Sequence, residues 1–100
     1  MIARLWRGVA STQANADLYQ RHVTKTVFPS LERIAGHKGA RLMRRQKAGR
    51  VEFLVMTFWD SMDSIRKFAG DNPETAVVEP EAQAVLIDYD EFVRHYEILA

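Results

Sequence analysis

FLVMTFWDSMDSIRKFAG, residues Phe53–Gly70, joins two periodicities. With Val51 and Glu52 ahead of it, the first part alternates with period two. Val51, Phe53, Val55, Thr57 and Trp59 share one phase, and Leu54, Met56 and Phe58 share the other. Successive strand side chains point to opposite faces, so this is a strand that needs cover on both sides. From Asp60 the pattern changes. Asp60 or Ser61 can cap a helix in which Met62, Ile65, Phe68 and Ala69 form one apolar stripe, and Gly70 stops it. Trp59 sits at the junction, where its indole either plugs a core or lines a cavity.

Working outward, Ile2 to Val9 reads as a first strand, with Ile2, Arg4 and Trp6 on one face and Ala3, Leu5, Arg7 and Val9 on the other. Ser11 to Ala14 offers cap chemistry. Leu18, His22, Val23, Val27, Leu31 and Ile34 then recur at helical spacing up to Gly36, and Pro29 predicts a kink or restart near Phe28. Two strands follow, about residues 40–47 and 51–58, with Ala48-Gly49 as a tight hairpin turn. A short helical piece over Pro80 to Ile87 and a final strand from Phe92 to Leu99 complete the chain.

The order β-α-β-β-α-β predicts an α+β fold, a ferredoxin-like plait with a four-stranded antiparallel sheet and both helices on one face. The other face then carries bare apolar side chains. Contiguous patches of that kind mark interfaces, so a homodimer packed sheet on sheet is expected.

Composition agrees with a single small domain over residues 1–100. Apolar residues make up 47% and charged residues 27%, which excludes a disordered chain, and no apolar run is long enough to span a membrane. The absence of cysteine excludes a disulfide framework and thiolate chemistry. The start alternates and has no signal-peptide core, so a cytoplasmic protein is expected. A formal charge of +1 gives no global attraction to nucleic acid. The basic run Arg41, Arg44, Arg45, Lys47 and Arg50 has no aromatic ring on its strand for stacking bases, and reads as a solvated hairpin or one paired with acidic residues such as Glu79, Glu81 and Asp90.

MIARLWRG, the Phe58-Trp59-Asp60-Ser61 junction, IRKFAG, the acidic insert Ala76 to Glu81 and VRHYEI together resemble the antibiotic biosynthesis monooxygenase domains of the dimeric α/β-barrel group. The resemblance spans nearly the whole chain. It implies the same plait, paired into a dimeric α/β barrel, with a cavity between each sheet and its helices. It also implies a Trp59 near that cavity, where the indole N–H orients a ligand oxygen. Trp6, Tyr19 and Phe68 are the other aromatic candidates for ligand binding.

His22, on the apolar stripe of the first helix, is the candidate base, since an imidazole exchanges protons near neutrality; a structural role for it is the competing reading. Arg94 and His95 lie on opposite faces of the last strand. One of them faces the helices, where Arg94 can stabilise an enolate or His95 can act as a proton carrier; an ion pair is the other role open to Arg94.

Haem-degrading members of the family use an asparagine on the first strand and an iron-ligating histidine on a later helix. Leu5, Trp6 and Arg7 replace the former, and no histidine occurs between Asp60 and Pro80. No cofactor fingerprint is present, and His95 and Glu97 lack a third metal ligand, so neither cofactor nor metal is expected. The expected function is a cofactor-independent monooxygenase acting on an aromatic or quinol-type small molecule. The alternative is a non-catalytic homodimer of the same fold that binds a small ligand or protects against stress.

Overall fold

The structure, a computed structural model, describes residues 1–100. In chain order the elements are β1 (Ile2–Ala10), α1 (Gln13–His22), a π-helical turn (Val23–Val27), α2 (Phe28–Leu31), β2 (His37–Lys47), β3 (Arg50–Trp59), α3 (Met62–Ala69), α4 (Pro80–Val85), β4 (Asp88–Tyr89) and β5 (Arg94–Glu97). The strands run antiparallel in the order β2-β3-β1-β4, with β5 also paired to β1. This is the ferredoxin-like arrangement that the chain order predicts.

The fourth sheet position is divided. β4 lies opposite Gly8 and Val9, and β5 opposite Ile2 to Leu5. The predicted Phe92–Leu99 strand is therefore shorter than expected, and the short strand before it has no strong sequence pattern. Asp90 causes the break. Its carbonyl accepts from Trp6 Nε1 at 2.8 Å and its carboxylate from the Arg7 amide at 3.1 Å, so the chain turns there to meet one side chain and one backbone amide of β1.

Local chemistry sets the element ends. Thr12 caps α1 and Ser61 caps α3, each accepting an amide three residues on. Ala48 and Gly49, both with positive φ, make the two-residue turn between β2 and β3. Around Pro29 the first helix slips register rather than breaking: the Phe28 amide bonds back to the Val23 carbonyl, five residues away. The slip adds a residue to the turn ahead of the proline ring, and the buried face runs through Ala16, Tyr19, Val23 and Leu31. Leu18 is off that face and exposed, contrary to the stripe read from spacing, because Tyr19 takes the inward position beside it.

Register fixes the faces. Ile2, Arg4, Trp6, Gly8 and Ala10 stand opposite Trp59, Thr57, Val55, Phe53 and Val51, all in the phase that meets the helices. Two apolar clusters fill that layer. One joins Val51, Phe53, Tyr19, Val23, Ala82 and Leu86; the other joins Trp59, Leu31 and Ile65. The opposite face has no covering layer. Leu5, Leu54, Met56 and Phe58 are half-buried there, and Met43 and Tyr96 are 43% and 53% exposed.

Candidate functional site: a cavity between the first helix and the sheet

Between the two clusters the layer is not filled. A partly open cavity of about 80 Å³ is lined by sixteen residues, twelve of them hydrophobic, so a ring-sized molecule would extend through its mouth. Trp6, Val55 and Thr57 come from the sheet, Tyr19, His22 and Val23 from α1 and the turn after it, Phe68 from α3, and Val78 and Glu79 from the segment before α4. Gly8 makes part of this shape possible. A Cβ there would stand 2.9 Å from Trp6 Cη2 and 3.0 Å from Leu86 Cδ1, so the missing side chain lets the indole lie along β1. Trp6 is further held by its bond to Asp90 and by Tyr19 and Tyr89, whose rings lie 6.2 and 6.1 Å away.

Three polar groups touch this apolar space with distinct chemistry. Tyr19 is buried against Phe53, and desolvation pushes its hydroxyl well above the usual phenol value, so it stays neutral and can donate. His22 lies at the more open side. Its Nε2 is 3.4 Å from Glu79 Oε1, is shielded from solvent and has no hydrogen-bond partner. Arg4 closes the buried side and is only 5% exposed. It donates from Nη1 to the Pro73 carbonyl and from Nη2 to the Thr75 carbonyl at 3.2 Å, and Nη1 meets His95 Nε2 at 2.9 Å. Burial pushes the guanidinium down to about 10, partly opposed by the Glu74 charge, which still leaves it cationic at neutral pH.

Of the residues singled out in the sequence, Trp6, Tyr19, His22 and Phe68 are brought together in the wall. His95 stands behind Arg4, facing the helices as one of the two alternatives for β5 required; burial and the Arg4 charge lower its pKa. Arg94 is on the opposite face, half-exposed and 3.6 Å from Asp90, so it contributes nothing to the cavity. Trp59 is also outside the lining. It is 0% exposed, and its indole donates to Thr57 Oγ1 at 2.8 Å, a bond that uses its one polar group internally. Phe68 stacks on it at 6.0 Å and occupies the cavity side. The junction tryptophan is therefore a core plug, correcting its assignment as a ligand-binding residue.

Arg4 was not among the candidates read from the sequence, although a signal existed. It shares the inward phase of β1 with Ile2 and Trp6, and a charge at an inward position is the exception that marks a site. His22, Glu79 and Glu81 are the one group whose ligand atoms, all within 4.8 Å of one another, are close enough to hold a cation; Glu81 is exposed.

No family model matches the sequence, and no curated protein matches it. Solved structures do match in fold. A haem-degrader, MhuD from Mycobacterium tuberculosis, with two haems in its active site, superposes with TM-score 0.65 at 12% identity over 100% of this chain and 97% of its own. A provisionally assigned antibiotic biosynthesis monooxygenase from Bacillus cereus gives 0.64 at 13% identity over 99% and 91%, and another from Deinococcus radiodurans gives 0.63 at 12% over 100% and 94%. The chain has the α+β fold of the antibiotic biosynthesis monooxygenase domains, as its sequence resemblance implies. No helix is long and apolar enough to cross a membrane.

Proposed function

We propose that this chain is a monooxygenase acting on a small aromatic or quinol-type molecule bound in the cavity, and that it works as a homodimer joined through the open sheet face. The observation that carries the reading is the unfilled apolar space itself, with an unpartnered imidazole nitrogen on one side and a fixed cation on the other. An electron-rich phenol or anthrone lying between Trp6, Val55 and Phe68 would be held by ring contacts and desolvated.

The chemistry asked of the protein is small. His22 Nε2 takes a proton from the substrate, and the resulting carbanion or enolate is oxidised by O2 through a carbon-bound hydroperoxide. Loss of water leaves a carbonyl: a CH2 group plus O2 gives C=O plus H2O, with one oxygen atom in each product. No metal or flavin enters that balance. Neutral Tyr19 supplies a donor toward the developing oxyanion. Haem suits this cavity poorly: α3 carries no histidine and presents Phe68 to the space, while the imidazole in the wall, His22, stands on α1 against Glu79.

Oxygen uptake in the presence of an anthrone or a dihydroxynaphthalene tests the reading. Turnover above the uncatalysed rate is expected, with a loss of about 100-fold in His22→Ala, the usual order for a general base. Saturable binding without any uptake would favour the non-catalytic ligand-binding alternative. For the dimer, Leu5, Leu54, Met56 and Phe58 form the apolar patch that a second copy would cover. Sedimentation should show a dimer that Met56→Glu converts to a folded monomer, whereas a stable wild-type monomer at micromolar concentration would refute that part of the proposal.

A further inference from the structure

The buried side of the cavity holds a charge that no ion pair in the chain neutralises. Arg4 takes part in none of the ion pairs, and each of its hydrogen-bond partners, two backbone carbonyls and an imidazole nitrogen, is uncharged. Glu74, whose charge acts on it most, is exposed and makes no ion pair with it. A guanidinium has donors and no acceptor, so the contact with His95 requires a neutral imidazole whose Nε2 lone pair faces Arg4 and whose proton sits on Nδ1. Of the five N–H groups of Arg4, Nε–H and one on Nη2 have no protein acceptor. The ring of Phe68 lies 5.7 Å from the guanidinium carbon and softens the burial without balancing the charge.

Taking a cation out of water without a counter-ion is expensive, and the chain gains nothing from it if the task is only to tie the carbonyls of Pro73 and Thr75. A neutral donor such as glutamine would serve there. We infer that the cavity selects an organic anion, a flat apolar body carrying an ionised carboxylate or phenolate oxygen that completes the free N–H groups of Arg4. The inference rests on the reading that the cavity takes an aromatic molecule, and it adds the charge state: the ligand binds ionised. Trp6, Val55 and Phe68 then receive the ring while Arg4 receives the acid group.

The test compares 2-naphthoate with the similarly shaped neutral 2-naphthamide by calorimetry on the wild-type protein. Naphthoate should bind at least about tenfold more tightly, the difference expected of a charge-assisted hydrogen bond in a desolvated site. 4-Nitrophenol, held at the pH where it is half-ionised in solution, supplies the phenolate arm. Binding should raise its phenolate absorbance, and preference for naphthoate without that rise assigns the site to carboxylates. Arg4→Gln should reduce the naphthoate preference to about one while leaving naphthamide affinity within about twofold. If that variant does not fold, the Nε–H resonance of Arg4 in wild-type protein decides, moving with naphthoate and not with naphthamide. Equal affinity for the two naphthalenes overturns the inference and leaves the aromatic cavity standing. Failure of both to bind removes the cavity reading along with it.

Discussion

Trp6 and Trp59 lie on the same face of one sheet, on neighbouring strands, and have opposite fates. Trp59 is enclosed by Leu31, Ile65 and Phe68, with the edge of His37 5.1 Å away. Trp6 is half-buried and borders open space. Neither residue type nor strand phase separates them. The difference comes from what the helices bring across. Leu31 of α2 and Ile65 of α3 pack on Trp59, whereas Tyr19 of α1, Val23 of the π-helical turn and Ala82 of α4 line the cavity that Trp6 borders. Strand alternation therefore predicts the face of a side chain, and long-range packing decides whether a large ring on that face becomes core or wall.

The largest expected effect falls on the closed end. Trp59→Ala should cost roughly 3–5 kcal/mol and lower the melting temperature by about 12 °C or more, because a fully enclosed indole leaves a hole that its rigid neighbours cannot collapse into. A thermal melt within a few degrees of wild type would break the contrast between the two tryptophans. Trp59→Phe, a milder change, leaves Trp6 as the sole indole, and quenching of its fluorescence by a bound naphthoate should persist there.

A smaller effect is expected at the open end. The methyl group of Gly8→Ala would press on Trp6 and Leu86, two side chains that can move, so the cost should lie in the range of about 1–3 kcal/mol for overpacking. The displaced indole narrows the cavity, so ligand affinity should fall more than tenfold in the calorimetric titration, a size given by about 1.4 kcal/mol of lost contact. Unchanged affinity would mean that Trp6 borders the space without shaping it.

These two ends also mark what was legible in the sequence. The alternation of Val51 to Trp59, the cap at Ser61 and the turn at Ala48-Gly49 are local signals, and each is present in the fold; Pro29 signals the irregularity that the helix meets as a π-helical slip. Which face of the last strand meets the helices depends on its register with β1, where His95 pairs with Arg4. That pairing joins residues 91 positions apart, beyond any local pattern. Arg4 escaped notice because a single basic residue in a short strand looks like a surface charge until the opposite face of that strand is known to be the open one. The phase it shares with Trp6 carried the information.

The smallest and most selective expectation concerns two histidines, one at each end. His37 packs against Trp59 and His95 against Arg4, and both titrate below the ordinary 6.5. Burial is the first cause for each. Glu32 and a backbone bond to Gly39 oppose it at His37, whereas at His95 the Arg4 charge adds to the lowering and Glu74 opposes it. In both cases the unfolded chain binds protons more readily, so stability should be constant above about pH 6.5 and decline as the pH falls below it. The two sites should respond differently to a ligand. An anion placed on Arg4 cancels part of the charge that His95 senses and should raise the His95 pKa, while His37, with no cation among the groups that shift it, should not move. Proton NMR titration of the imidazoles with and without 2-naphthoate reads both at once. A shift of equal size at the two histidines would point to a general change in the fold, and a shift confined to His95 would place the anion beside Arg4.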